Sequence, residues 1–196
     1  MLILGWFIML KELRCSLFKK QLINFHNGLN IILGDDDAKN SIGKSSALIA
    51  IDFIHGGVSL LEDKSGAIRA MGHHHYDFKF AFFGKNYFFS RSTAFPEIVH
   101  VCDEKYTNIS DISIEDFRKQ IKEIYNLQQC EKTFRFLVGP FSRIWGKGGI
   151  DSDHPFLASV KELNGTGIER LVDLFGHSEA IAVEKNCWTL KRNDES

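Results

Sequence analysis

The stretch Ile32–Gly57, ILGDDDAKNSIGKSSALIAIDFIHGG, opens at the end of an apolar run and closes on a glycine pair. Between them stands Gly43-Lys44-Ser45, the last part of a phosphate-binding loop. Such a loop works because successive backbone N–H groups and a helix N-terminus present partial positive charge to phosphate oxygens. Lys44 is placed to add a full charge at the β- and γ-phosphates, and Ser45 to ligate Mg²⁺. Gly43 lets the backbone approach closely, and Ser46 is in reach of the α-phosphate. The surroundings suit this. LNIIL (29–33) predicts a strand buried on both faces. Ser45 to Ile54 predicts a helix, with Leu48 and Ile51 at helical spacing and Gly56-Gly57 ending it. Two features depart from the standard loop: Ala38 stands where a glycine is usual, and Asp35-Asp36-Asp37 brings three carboxylates. They are read as an insertion after the turn glycine Gly34, bulging into solvent before Asn40 resumes the loop. The alternative is an ordinary turn before a helix.

The bulk properties fit one folded domain of ordinary size. In 196 residues, 44% are hydrophobic and 25% charged, and seventeen Phe must find a core. A net charge of −1 excludes a strong basic field, so the chain as a whole is not an obvious polyanion binder. Cys15, Cys102, Cys130 and Cys187 lie far apart without a CxxC pair, which argues against a zinc site or disulfide scaffold and fits a cytoplasmic location. The opening MLILGWFIML is too short to span a bilayer and lacks the basic start and cleavage site of a leader, so no membrane is expected. Met9 reads as the natural start, with residues 1–8 an upstream extension.

Beyond the loop, residues 12–18 predict a first strand, joined to LNIIL through a polar link containing Asn27-Gly28. FKFAFF (78–83) and YFFSRS (87–92) flank Gly84-Lys85-Asn86 as a hairpin, and EIVHVC (97–102) adds a strand that ends in a turn at Asp103-Glu104-Lys105. Ser113-Ile114-Glu115-Asp116 has the form of a capping box, opening a helix whose apolar face carries Phe117, Ile121 and Ile124. Glycines frame a loop-rich segment around Trp145, and a helix is predicted from Ile168 to about Phe175. The fold class expected is α/β: a mixed sheet with one packed helix, plus an antiparallel meander.

The string GLNIILG…NSIGKSSALIAIDFIHGG resembles the N-terminal head segment of the SMC-like and RecN-like coiled-coil ATPases of the ABC superfamily. Their loop reads G-x-N-G-x-G-K-S. Asn40, Gly43, Lys44 and Ser45 match it, Ser41 replaces a glycine, and four extra residues follow Gly34. IDFIHGG, GHHHYDF and YFFSRS, in that order, are similar to a bacterial branch of that group in which NSIGKS and FSRS recur. The resemblance covers residues 10–176 or so. It implies a P-loop NTPase half-head that binds ATP and Mg²⁺ through Asn40, Ser41, Ile42, Gly43, Lys44, Ser45 and Ser46, with Ser45 on the metal. It also implies a partner, either a C-terminal ATPase lobe carrying the Walker B and signature motifs or a second copy, and work on DNA in repair or genome defence. No signature-like run or sustained heptad is visible after residue 150. The expected organisation is therefore an ATP-binding lobe over 9–176 and a helical tail over 177–196 where a coiled coil would begin, incomplete for hydrolysis alone.

IVHVCDE (98–104) has the form of a Walker B strand, with Asp103 for Mg²⁺ and Glu104 for water, but DEK followed by Tyr106 is good turn chemistry and is preferred. If Asp103-Glu104 were catalytic, the chain would be a complete small P-loop NTPase or kinase. If the loop had lost its ligand, it would be a non-catalytic interaction module. His73-His74-His75 is read as structural, since adjacent strand residues point to opposite faces. Arg91 and Arg143 could reach phosphate or the facing subunit; Arg91 is read mainly as a surface or core-capping residue, and Arg143 equally as either. Gln128 and Gln129 fall on a helix end, away from the 139–149 loop where the resemblance places a Mg²⁺-sensing glutamine.

Overall fold

The computed structural model describes residues 9–31, 41–62, 68–69, 72–142, 157–158 and 162–177. The chain divides into two compact units, Met1–Tyr125 and Asn126–Ser196. The described residues of the first unit include one sheet and two helices packed on it. Its strands are β1 (Met9–Arg14), β2 (Leu22–Asn24), β3 (His75–Phe82), β4 (Lys85–Ser92), β5 (Ile98–Cys102) and β6 (Asn108–Ser113), in the spatial order β2-β1-β3-β4-β5-β6. Helix α1 (Ser41–Ile54) lies in the crossover from β2 to β3, and α2 (Ile114–Ile124) follows β6 directly.

Strand alternation separates two unlike faces. On β3, Tyr76, Phe78, Phe80 and Phe82 are buried on one side, while Asp77, Lys79 and Ala81 are half-buried on the other. Register carries the apolar side across the sheet, since Leu13 pairs with Phe78 and Phe78 with Phe89. Both helices use that side. Phe117 of α2 packs edge-on against Phe78 and Phe89 (ring centroids 6.0 and 5.2 Å), and Phe53 of α1 meets Tyr76 at 5.6 Å. Each fully buried phenyl ring contributes about 1.5–3 kcal/mol from leaving water. The other face is polar. Glu12 pairs with Arg14 (2.7 Å) and Lys79 (3.5 Å) and accepts from Tyr106 Oη (3.4 Å). The Arg14 guanidinium lies over the Tyr106 ring at 4.9 Å.

Several expectations are corrected. The sheet is antiparallel throughout the described residues rather than mixed. The segment meant to add a different strand, 29–33, is outside any strand through Ile31, and Leu29 and Ile31 are 77% and 69% exposed. A local cause is visible. Asn30 Nδ2 donates to the His26 and Gly28 carbonyls, and its Oδ1 accepts from the His26 amide, so the side chain holds the backbone in a turn. The second strand is instead Leu22–Asn24. The first is Met9–Arg14 rather than 12–18.

The β3–β4 turn is Phe83-Gly84, both at positive φ (48° and 80°), as a two-residue hairpin of matching twist requires. On α1 the buried face is Ala47, Ala50, Phe53 and Ile54, while Leu48 is 40% exposed. Two alanines let the helix axis come close to the sheet, and the larger Leu48 is left outside.

The second unit is built on α3 (Phe134–Val138), a 3₁₀ turn (Gly139–Ser142) and α4 (Asn164–Leu174). Thr133 caps α3 through the Phe136 amide (3.2 Å). Helix α4 starts four residues earlier than predicted, through Gly165 and Gly167. Arg170, buried on it, pairs with Glu162, donates to the Phe136 carbonyl and stacks over the Phe136 ring at 4.5 Å. Among the described residues no helix is long and apolar enough to cross a membrane.

Candidate functional site

The candidate site is the N-terminal end of α1. The backbone is helical from Ser41, four residues before the predicted opening at Ser45, so Gly43 and Lys44 belong to the first turn and Ser45 follows. The first four N–H groups of a helix have no partner within it, and here residues 41–44 supply them. That turn contains no acidic residue, so nothing in it neutralises the positive end of the helix dipole. Ser41, Ile42, Gly43, Lys44, Ser45 and Ser46 therefore fall together on one helix start. Asn40 and the segment from Gly34 to Ala38, with its three aspartates, lie outside the described residues.

The opposite end of α1 carries Gly56-Gly57. Gly56, at φ +80°, donates to the Phe53 carbonyl (3.0 Å), and Gly57 donates to the Asp52 carbonyl (2.8 Å). This is a Schellman closure, with Gly56 in the left-handed position that favours glycine. Gly57 is required for a different reason: a Cβ there would stand 2.0 Å from Asp52 Oδ2.

Helix α1 has no basic residue in its own last turn. Two arginines from other elements take that place. Arg91, fully buried on β4, donates from Nη1 to the carbonyls of Phe53 and Gly57 (2.9 Å for the latter) and from Nε to that of Pro96 (2.9 Å), with its guanidinium 3.9 Å above the Phe53 ring. Arg118 of α2 donates to the Gly56 carbonyl from Nε (3.1 Å) and Nη2 (2.6 Å). Of these roles, sequence reasoning reached only core capping for Arg91. The signal for its burial was present: Arg91 is two residues beyond Phe89, hence on the same face of β4.

Of the histidine triplet, His74 is buried, while His73 and His75 are exposed. The buried His74 has Nδ1 2.9 Å from the Gly72 carbonyl and Nε2 2.9 Å from the Tyr76 hydroxyl, and its amide donates to Thr93 Oγ1 (3.0 Å). The carbonyl can only accept, so Nδ1 donates to it. No group of three or more His, Cys, Asp or Glu that could hold a metal occurs among the described residues.

Asp103 is a turn residue. Its carboxylate accepts from the Lys105 and Thr107 amides (2.8 Å each), and the Thr107 amide foremost holds its pKa below the usual carboxylate range. Glu104 is exposed in the same turn. Both residues follow the end of β5 directly, in the turn that leads to β6. Gln128 and Gln129 are exposed in a turn of the second unit, and Arg143, Trp145 and residues 146–149 lie outside the described residues. No family model, curated protein or solved structure matches the chain.

Proposed function

We propose that the chain is the ATP-binding N-terminal lobe of an SMC-like P-loop ATPase. The observation that supports this is the coincidence of Gly43-Lys44-Ser45 with the start of a sheet-packed helix whose first turn has no acidic residue. In this reading the amides of residues 41–44 hold phosphate oxygens, Lys44 pairs with the β- and γ-phosphates, and Ser45 is the Mg²⁺ ligand. The bound metal supplies charge neutralisation at those phosphates. Binding without turnover is the activity assigned to this chain by itself. Asp103 is committed to its hairpin, so the carboxylates that activate water come from another ATPase lobe or a partner copy. Work on DNA in repair or genome defence is the setting that the resemblance of NSIGKS and FSRS implies.

Titration of a fluorescent ATP analogue with Mg²⁺ tests the reading. Lys44→Ala removes a charge-assisted contact and is expected to weaken binding at least about tenfold. Equal affinity of the two proteins, or no binding by either, overturns it in favour of an interaction module. Turnover that is abolished by Glu104→Gln would favour a complete small NTPase instead.

A further inference from the structure

We infer that Arg91 and Arg118 are positioning residues for the nucleotide site, acting through the far end of α1. The inference rests on the nucleotide reading above. Neither arginine belongs to α1, yet Arg91 ends on the Phe53 carbonyl in its last turn and on that of Gly57, and Arg118 ends on the Gly56 carbonyl, the last two in the closure just past the helix. Arg91 also holds the Pro96 carbonyl in the link from β4 to β5, so one guanidinium joins the helix end to two points outside it. A buried cation is a costly way to stabilise a core that apolar residues could fill, and here it holds three backbone carbonyls in place. Here the fixed quantity is the direction of the helix. At about 1.5 Å per residue α1 is roughly 20 Å long, so a tilt of about 5° at the clamped end moves the first turn by about 2 Å. Displacements of that size in a binding or catalytic constellation are expensive. The helix dipole favours the same arrangement, with positive charge at the C-terminal carbonyls and phosphate at the amides.

The test compares five variants of the whole chain by urea unfolding, by affinity for the Mg²⁺-bound ATP analogue, and by amide exchange along α1. Arg118→Ala, altered at a partly exposed side chain, is expected to remain folded and to bind about tenfold more weakly. Arg118→Lys, which keeps one donor for the Gly56 carbonyl, should recover part of the loss, and added guanidinium at non-denaturing concentration should recover part of it for Arg118→Ala but none for Lys44→Ala. Arg91→Lys should behave as Arg118→Ala or more severely. If Arg91→Lys fails to fold, the Arg118 pair decides alone.

Ser113→Ala, a cap change on α2, is the control for a loss of stability away from α1. Wild-type affinity in folded Arg118→Ala overturns the inference and leaves the nucleotide reading intact. So does an equal affinity loss in Ser113→Ala. A wild-type protein that binds no analogue overturns both.

Discussion

The two helices on the aromatic face complete their ends in opposite ways. Helix α2 is self-sufficient. Ser113 Oγ accepts from the Asp116 amide (3.1 Å), Glu115 and Asp116 place acidic charge in its first turn, and Lys122 places a base in its last. Helix α1 has neither an acid in its first turn nor a base in its last. Its C-terminal end, closed by Gly56-Gly57 and with His55 Nδ1 2.7 Å from the Ile51 carbonyl, is further tied to Arg91 and Arg118 from β4 and α2, and its N-terminal end carries Gly43, Lys44 and Ser45. A helix that satisfies itself can serve as packing alone. One whose electrostatics are supplied from outside is tied in orientation to whatever supplies them.

The sharpest way to break this contrast is at Gly57. Alanine there would drive its Cβ to 2.0 Å from Asp52 Oδ2 and 2.7 Å from the Asp52 carbonyl, so the closure of α1 must open. A stability loss of about 3 kcal/mol or more is expected in urea unfolding, together with weakened ATP-analogue binding. A smaller effect is expected from Ser113→Ala, which removes the cap of α2 at a cost of about 1 kcal/mol and should leave nucleotide affinity unchanged.

The smallest effect lies on the polar face. Burial alone would raise the Glu12 carboxyl, but hydrogen bonds and charge from Arg14 and Lys79 outweigh it and hold the group below its ordinary 4.5. A carboxylate depressed on folding stabilises the protein fully above its unfolded value, and that contribution fades as pH falls through the folded one. Stability measured from pH 5 downward should therefore fall less steeply in Glu12→Gln than in wild type, with α1 exchange unaffected.

What was legible in the sequence was local. The cap at Ser113 and the spacing of Phe117 and Ile121 give α2, because each signal lies within one turn of the residue it governs. FKFAFF (78–83) and YFFSRS (87–92) mark β3 and β4 but miss their ends, since the strands run His75–Phe82 and Lys85–Ser92 and the turn is Phe83-Gly84 rather than Gly84 to Asn86; the turn chemistry of Asp103 holds in the hydrogen bonds it makes. Other features depended on partners distant in sequence. LNIIL has the composition of a buried strand, but Asn30 binds its own neighbours first. The buried face of α1 is set by two alanines, which a search for large apolar residues passes over. NISDIS has no clean alternation and forms β6 by pairing with β5 across a bulge. For the candidate site, the glycine, lysine and serine were plain in the sequence. The arginines that hold the other end of their helix were not, because the link runs through backbone carbonyls that leave no pattern in side-chain identity.

The pairing of β1 with β3 has a consequence for assembly. Arg14 lies opposite Asp77, so joining these strands closes a loop of roughly sixty residues, with α1 inside it. As the chain leaves the ribosome, α1 is made before β3 gives it a surface to lie on and before Arg91 exists to seat its end, and a lone helix of this length is marginal in water. The glycine-lysine-serine turn is thus finished late. A nascent chain interrupted ahead of His75 carries the whole motif but neither the aromatic strands that α1 packs on nor Arg91 and Arg118.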